Sequence, residues 1–466
     1  MQASTTKNMT VGSPIKLILR FFMPLLLGML FQQFYNMMDT MIVGRFLGAK
    51  ALAGVGGTGS INFMIIGFCM GVCSGFSIPV ARAFGAGDEG ELRKYVANSV
   101  WLSVAFSLVS TVIVCLLCHQ ILVWMDTPSD IFKNSYDYIF VIFLGIPVVY
   151  LYNLLSGILR SLGDSKTPLY FLVLSSLLNI VLDLVAILGL KMGVSGAAWA
   201  TVLSQGISGI LCLVYIAKKY PILKLSKEEW RPRRQFMKVL CWMGIPMGLQ
   251  YSITAIGSII LQTAVNSLGS MAVAAVTAGG KISMFFACPF DAMGATMATY
   301  AGQNTGARKL DRVTDGIKAC SLIAIVYSTI ACVVLIVFGE EMSLLFVDGK
   351  ETEVIKNAAI LLKWSSLFFF PLALVNIVRF TIQGMGFGNL AIIAGVCEMI
   401  ARGMVGFILV PVFGYIAACF AGPIAWIMAD AFLIPAYFYV LKKLKNELNS
   451  ESYSMNIEKI TFEKEA

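Results

Sequence analysis

Apolar runs long enough to cross a lipid bilayer follow one another along nearly the whole chain. A helix needs about 20 apolar residues to span the hydrocarbon core, and twelve such windows can be cut from the sequence. Backbone groups in lipid must hydrogen-bond internally, and these runs are too long for barrel strands, so we predict twelve transmembrane helices. The predicted spans are 17–43, 53–80, 95–118, 136–160, 168–190, 195–217, 238–266, 274–300, 316–338, 357–383, 389–412 and 416–441.

Composition supports an all-α polytopic membrane protein. Only 13% of the 466 residues are charged and 58% are hydrophobic, whereas a soluble domain carries about 25% charged residues. The polar remainder is too small for a soluble domain, and the apolar run after Lys16 is too long for a cleavable signal. The eleven cysteines lie scattered in apolar segments, so we expect reduced thiols that pack as small hydrophobes.

The distribution of basic residues predicts the orientation in the membrane. If both termini are cytoplasmic, the inner segments hold 24 of the 35 Lys and Arg residues and the outer segments hold 7. Inner loops carry such an excess in membrane proteins. We therefore predict a multi-pass protein of the cell (cytoplasmic) membrane with both termini cytoplasmic. The net charge of +9 reflects this topology, and we expect no nucleic-acid partner.

The sequence divides into two halves of six spans each that look like distant copies. Residues 22–28, around Pro24, resemble residues 243–250, around Pro246, and residues 153–163 resemble 376–386. Because six is even, both copies insert in the same direction, which predicts two parallel six-helix repeats, as in many transporters. The predicted units are an N-lobe (1–217), a basic cytoplasmic linker loop (218–237), a C-lobe (238–441) and a polar cytoplasmic tail (442–466).

Two acids in the first half are the strongest functional signal. Asp39 and Asp183 lie deep in predicted spans, and this half has no mid-span cation to match them. A carboxylate in lipid must be protonated, close to water or bound to a cation. Asn179 lies four residues before Asp183, on the same helix face. We predict a coupling site for H⁺, or for Na⁺ held at Asp39, Asn179 and Asp183; the alternative is that each acid is protonated and only joins helices.

The second half carries charges of both signs within its spans. Glu398 and Arg402 are four residues apart and can pair on one helix face. We expect the set to neutralise itself and join helices, with contact to a substrate as the alternative. Its members are Lys281, Asp291, Arg379, Glu398, Arg402 and Asp430.

A haem-attachment pattern also occurs, at Cys115, Cys118 and His119. The pattern lies at the end of an apolar run, where a bound haem would displace helix packing, so we expect no cofactor. The alternative hypothesis is a membrane redox or structural protein built on these three residues. The sequence contains no nucleotide-binding motif. The energy source is therefore predicted to be an ion gradient, in a protein that is not an enzyme.

Over residues 10–442 the chain resembles the multidrug and toxic compound extrusion (MATE) family. No single motif carries the resemblance, but the order of the motifs along twelve spans is specific. The matching residues are Pro24, Gln33, Phe34, Tyr35, Asn36, Asp39, Val43 and Gly44, then 85–88, 160–168, Asn179, Asp183, 193–198, Thr201, 244–246, 303–307 and 383–386.

The resemblance implies an antiporter with two six-helix lobes in a V-shaped bundle. It would exchange H⁺ or Na⁺ for small organic cations or amphipathic drugs by alternating access, as a monomer in the lipid bilayer. In the DinF-like branch an N-lobe cluster is associated with the coupling ion, and Pro24 matches the proline at which the first helix bends. The matching cluster here is Asp39, Asn179, Asp183 and Thr201, with Gln33, Tyr35 and Asn36 as further contacts to ion or substrate.

The sequence departs from the NorM branch, in which carboxylates of the seventh and tenth helices take part in cation binding. The corresponding stretches, 247–254 and 368–376, contain no acid, so coupling is expected in the first half alone. A flippase for a lipid-linked sugar or cell-wall precursor is the alternative function. It would need cations for phosphate groups, and the spans offer mainly Lys281 and Arg379.

Overall fold

The computed structural model describes residues 7–347 and 349–465, and in these ranges the chain forms helices and short connections without a strand. The first half contains α1 (Pro14–Leu47), α2 (Ala49–Gly57), α3 (Gly59–Ala86), α4 (Glu89–Trp124), α5 (Ser129–Leu144), α6 (Ile146–Ser161), α7 (Lys166–Leu184) and α8 (Val194–Lys219). The second half contains α9 (Arg234–Asn266), α10 (Ser270–Gly306), α11 (Leu310–Ser343), α12 (Thr352–Leu367), α13 (Phe369–Gly384), α14 (Gly388–Met404), α15 (Val410–Phe413) and α16 (Tyr415–Glu465).

The predicted number of spans is confirmed once two bent pairs are each counted as one. Within residues 7–347 and 349–465, ten helical segments are individually long and apolar enough to cross a membrane. Two more spans are the pairs α5–α6, bent by 47°, and α12–α13, bent by 52°. The sequence windows 136–160 and 357–383 run straight through these bends and did not reveal them.

The predicted start of the second span, at residue 53, is wrong. Residues 49–57 form the separate helix α2, and the spanning helix α3 begins only at Gly59. The break falls at Thr58, whose hydroxyl donates to the Val55 carbonyl at 2.8 Å. Four glycines lie at 54, 56, 57 and 59, and glycine weakens a helix because it loses more conformational freedom on folding.

The two halves repeat the same series of elements. In each half the fourth span is a bent pair and the fifth ends in a π-helical turn, at Val185–Gly189 after α7 and at Val405–Leu409 after α14. An internal duplication of six spans accounts for this order. The lobe boundaries at residues 217 and 238 themselves stay a prediction.

The lobes meet where α3 crosses α9. Gly71 and Gly75 face Gly244 and Gly248 across this contact, and a Cβ atom added at Gly75 would lie 2.5 Å from the Gly244 Cα atom. Small residues let helix backbones approach closely in membranes. The glycines therefore bring the two lobes into direct backbone contact.

Helix α1 packs against both lobes. Its first turns, with Phe21, Phe22 and Leu25, belong to a buried apolar cluster that also contains Phe290 and Met297 of α10. Farther along, Gly28 lies against α7, where an added Cβ atom would be 3.3 Å from the Leu172 side chain. Pro24 lies inside this continuous helix, and the C-lobe contacts of α1 extend past it to Leu25 before the helix passes to the N-lobe.

The end of the bundle that carries both termini is closed. We define the closed end by the N-terminal segment Lys7–Ser13 and the ends of α3, α6 and α10. A Cβ atom at Gly85 would overlap the Gln303 carbonyl, and one at Gly306 would overlap the Arg82 carbonyl. The ends of α3 and α10 thus touch backbone to backbone, with no room for a compound to pass between them.

Gln303 ties the N-terminal segment to both lobes. Its buried side-chain Oε1 atom accepts from the Met9 amide at 2.8 Å, and its Nε2 atom donates to the Ser161 carbonyl at 2.8 Å. The Lys7 amide donates to the Leu162 carbonyl at 2.9 Å. The segment therefore lies between the end of α6 and the end of α10 and is held there by hydrogen bonds.

The predicted linker loop docks on α4 instead of lying free. Trp101 Nε1 donates to the Trp230 carbonyl at 2.9 Å, and Arg93 forms an ion pair with Glu229 at 2.7 Å. This ion pair lowers the pKa of Glu229 to about 2. The predicted tail from residue 442 continues α16 as a helix.

Candidate functional site

The two unmatched acids of the first half lie side by side in the structure. Asp39 on α1 is 7% exposed and Asp183 on α7 is 0% exposed, and the two carboxyl groups interact directly. Among the described residues, no donor reaches Asp39 Oδ1 or either oxygen of Asp183. Two carboxyl groups that face each other without a donor require a shared proton or a cation between them.

Neutral oxygen atoms complete this acid pair. Asn179 donates through Nδ2 to the Thr201 hydroxyl at 3.3 Å, and that hydroxyl also shares a hydrogen bond with the Tyr35 hydroxyl at 3.1 Å. The Asn179 Oδ1 atom is buried without a partner. It lies one helical turn before Asp183 and on the same face, so the amide presents an oxygen toward the acids.

These oxygen atoms suit H⁺ or Na⁺. Hard cations prefer carboxylate, amide and hydroxyl oxygens, and Asp39, Asn179 and Asp183 all carry buried oxygens without partners. The described residues contain no cluster of three or more His, Cys, Asp or Glu side chains. A cation here would therefore depend on the neutral oxygens as well as on the two acids.

The local helix geometry explains how Asp183 is presented. The π-helical turn Val185–Gly189 follows directly after α7, and such turns add one residue per turn and often occur at functional sites. Met192 donates its amide back to the Ala186 carbonyl at 3.0 Å. The turn closes the end of the span just beyond Asp183, which leaves the acid facing α1 and α8.

The other α1 residues that the sequence proposed fall in different surroundings. Pro24 and Tyr35 line a cavity of about 180 Å³ inside the N-lobe. Gln33 instead points to α10, where its Nε2 atom contacts Cys288 Sγ at 3.7 Å, and Asn36 is exposed. Tyr35 therefore joins the acid pair, whereas Gln33 and Asn36 do not.

The cavity exposes a residue that sequence reasoning missed. Arg160 lies in its wall together with Asn153 and Ser156 of α6, although its place near the end of a predicted span suggested a loop position. The three residues recur at spacings of three and four, which places them on one helix face. This polar face of the helix was the sequence signal that could have identified Arg160.

Four of the six charges proposed for the C-lobe form one network. Glu398 accepts from Arg379 through Oε1 and from Arg402 through Oε2, the latter at 3.3 Å. The predicted pair of Glu398 and Arg402 is confirmed. Asp430 is buried within electrostatic reach of both Arg379 and Glu398, and its Oδ1 atom has no partner among the described residues.

The remaining two C-lobe charges stand apart from that network. Lys281 lies over the Phe346 ring at 5.9 Å, and Asp291 is exposed, with Arg379 as its electrostatic neighbour. The expectation that all six residues neutralise one another is therefore wrong for Lys281. Its ammonium group meets an aromatic face instead of a carboxylate.

The Cys–His pattern of the third span packs as ordinary helix side chains. His119 meets the Phe132 ring edge to face at 5.2 Å, and Cys118 is buried in the N-lobe core. All eleven cysteines are free, as expected of reduced thiols.

Comparison with known proteins identifies the family to which the chain is similar. The MatE family model matches residues 24–185 and 246–429. The probable multidrug resistance protein YoeA of Bacillus subtilis (strain 168) is 30% identical over 75% of this chain and 77% of its own length. The probable multidrug resistance protein YpnP of the same strain is 30% identical over 80% of this chain and 82% of its own.

A solved structure shares the fold across nearly the whole chain. It is the outward-facing conformation of a multidrug resistance MATE family transporter of the MOP superfamily, and it superposes with a TM-score of 0.89. The match covers 95% of this chain and all of that one at 23% identity. The predicted two-lobed, all-α fold is confirmed.

Proposed function

The chain belongs to the MatE family of multidrug transporters, and on that premise we propose that it is a secondary active exporter of amphipathic, often cationic, organic compounds. The compound would be exchanged for H⁺ or Na⁺ by alternating access. We place the protein in the cytoplasmic membrane as a monomer, with both termini in the cytoplasm, because that orientation puts most basic residues inside. The closed end would then be the inner end.

The acid pair carries the proposal. Asp39 and Asp183 interact without a hydrogen-bond donor, and two ionised carboxylates cannot share a buried site at low cost. The pair is therefore stable only with a proton or a cation bound. Such a site responds to an ion gradient, which is the property that an antiporter requires.

Helix α1 offers a mechanical link from the ion to the lobes. Asp39 lies on the stretch that packs against the N-lobe, whereas Phe21 and Phe22 pack in the C-lobe cluster. Binding or release of the proton or cation at Asp39 alters the packing of α1 against α7. Because Pro24 lacks a backbone donor, the helix bends there more readily than elsewhere, and the shift would reach the contact between the lobes.

Ethidium efflux from cells tests the proposal. The wild type, Asp39→Asn and Asp183→Asn would be compared with Asp126→Asn, with and without Na⁺ and with a protonophore. Asp126 is a fair control because it lies outside the helices with a positive φ of 50°, a conformation that asparagine also tolerates. We expect both site variants to lose gradient-driven efflux at normal expression, while Asp126→Asn keeps it.

The ion dependence of the wild type would identify the coupling ion. Efflux that the protonophore stops and that does not depend on Na⁺ indicates coupling to H⁺. Efflux that depends on the Na⁺ gradient indicates coupling to Na⁺. Wild-type rates in both site variants would refute coupling at the acid pair and would turn attention to Asp291, Glu398 and Asp430.

The flippase alternative has less support. It needs several cations that are free to bind phosphate groups. Of the two considered from the sequence, Arg379 is bonded to Glu398 and Lys281 lies over an aromatic ring, so Arg160 of the N-lobe cavity would have to serve alone. A drug exporter therefore stays the first proposal.

A further inference from the structure

The N-lobe cavity is polar along much of its wall. Five helices, α1, α3, α6, α7 and α8, contribute to it, and the polar side chains alternate with apolar ones from Pro24, Met29, Met70 and Leu172. Its polar lining is Gln32, Tyr35, Tyr152, Asn153, Ser156, Arg160, Ser165, Ser175, Ser176, Ser204 and Gln205. An amphipathic organic compound would find both apolar contacts and hydrogen-bonding groups there.

Among the residues that the structure describes, Arg160 is the only charged side chain in this lining. Its guanidinium group forms no hydrogen bond or ion pair with the residues that the structure describes, and its electrostatic neighbours are Tyr152, Tyr251 and Cys73, all uncharged in their ordinary state. By contrast, Arg379 and Arg402 share the carboxylate of Glu398. The cavity thus presents a cation that lacks a counter-charge.

The nearest acid in sequence is already engaged. Asp164 accepts from the Thr167 hydroxyl at 2.6 Å and from the Tyr220 hydroxyl at 2.5 Å. It also caps the start of α7 by accepting from the Lys166 amide at 3.0 Å. The hydrogen bonds of Asp164 therefore stabilise this turn of the chain, and its carboxylate does not neutralise Arg160.

The acid pair does not neutralise Arg160, because neither Asp39 nor Asp183 is among its electrostatic neighbours. The α7 wall of the cavity runs from Pro168 to Ser176, and Asp183 lies beyond that wall, about 10 Å past Ser176 at 1.5 Å per residue. Tyr35 reaches both the cavity wall and Thr201. One lobe therefore holds a site for a cation near one end and a lone guanidinium near the other.

We infer that Arg160 binds an acidic group, a carboxylate or a phosphate, of the exported compound. A guanidinium group pairs with either anion through two parallel hydrogen bonds, and Ser156 lies one turn away to donate a third. The inference rests on the proposed function, since it takes this cavity to be the transport cavity. It extends the proposed substrates to amphipathic acids and to zwitterions that carry an acidic group.

Two pairs of probes test the inference by equilibrium binding to the purified full chain in nanodiscs. Norfloxacin and its ethyl ester differ by one free carboxylate, and riboflavin 5′-phosphate and riboflavin differ by one phosphate. The variants are Arg160→Gln and Ser156→Asp, with Arg231→Gln as control. Arg231 lies exposed in the docked loop, so its replacement removes the same charge outside the cavity.

We expect the wild type to bind the acidic member of at least one pair about tenfold to a hundredfold more tightly, which is the range for hydrogen bonds to charged groups. Arg160→Gln should remove this preference by weakening the acidic member alone. Ser156→Asp should do the same while retaining Arg160, because it places a carboxylate one turn away. Arg231→Gln should keep the preference, and the pair that responds names the acid.

Three results would overturn the inference. The first is a wild type that binds neither acid more tightly than its neutral partner, or binds no probe. The second is an equal loss for both members of a pair in Arg160→Gln, and the third is a full preference in Ser156→Asp. Because binding is measured without a gradient, an Arg160-dependent preference without ion-coupled efflux would keep this inference and refute the proposed function.

Discussion

Replacement of Asp39 by asparagine is expected to stabilise the protein while it abolishes coupling. The wild-type pair leaves Asp39 Oδ1 and both oxygens of Asp183 buried without a donor. Asparagine keeps the shape of the side chain, removes one of the two facing acidic groups and supplies an N–H donor that can reach Asp183. The buried polar groups of the site can then hydrogen-bond to each other without a bound ion.

The magnitude follows from the number of groups that gain a partner. One buried acceptor without a hydrogen bond costs about 1–3 kcal/mol, and the asparagine amide can satisfy one oxygen of Asp183. The free energy of unfolding should therefore rise by about 1–3 kcal/mol in Na⁺-free buffer. Asp126→Asn should change it by less than about 0.5 kcal/mol, as surface substitutions usually do.

Reversible unfolding in mixed micelles, read by tryptophan fluorescence, measures the change. If Na⁺ is the ion, added Na⁺ should stabilise the wild type by mass action and leave Asp39→Asn unaffected. An Asp39→Asn protein that is less stable than the wild type in Na⁺-free buffer would refute the reasoning, because it would mean that the acid pair is already satisfied within the protein.

Three further outcomes are expected. Glu398→Gln leaves the buried Arg379 and the partly buried Arg402 without their shared carboxylate and should lower the free energy of unfolding by about 3–5 kcal/mol; a loss below about 1 kcal/mol in the same micelle assay would contradict this. Gln303→Ala removes the acceptor of one N-terminal amide, so hydrogen exchange in residues 7–13 should become about tenfold faster or more, and unchanged exchange would show that the closed end does not depend on it. The folded pKa of Glu229 is about 2, below its ordinary value of 4.5, because of its bond to Arg93. The stability that this ion pair adds is therefore present above pH 4.5 and is lost as the pH falls through 2, so Trp230 fluorescence should change over that window in the wild type and not in Glu229→Gln.

The helices and the acid pair could be predicted because each depends on a local property of the sequence. Length and apolarity define the spans, and the cost of an acid in lipid singles out Asp39 and Asp183 wherever their helices pack. The spacing of Glu398 and Arg402 likewise fixes their contact within one helix. No tertiary information was needed for any of these.

The sequence carried a signal for the bends that the apolar windows overlooked, whereas the surroundings of Arg160 depend on neighbouring helices. Gly145 and Phe368 mark the bends, and Pro147 and Pro371 follow them within three residues, where a proline removes a helical hydrogen bond. Arg160 matches the basic residues that commonly end a span at the inner face. Only the packing of α6 against α3, α7 and α8 turns it toward a cavity.

The N-terminal segment is held through its own backbone and through the buried Met9 side chain, which packs in the apolar cluster with Phe21 and Phe290. The Lys7 and Met9 amides donate outward, and the carbonyls of Met9, Thr10 and Gly12 accept from side chains of α10, α11 and their connection.

Side chains also matter to this hold, because Met9 is buried in an apolar cluster and Gly12 has a φ of 105°. Substitution at the partly exposed Lys7 and the exposed Val11 should be well tolerated, except for proline at 7, which removes a donor. In a library of variants, sequence constraint should fall on Met9 and Gly12 and on the residues that bind the segment, Gln303, Asn304 and Arg312. The inner gate of this transporter would thus be encoded some 290 to 300 residues away from the segment that closes it.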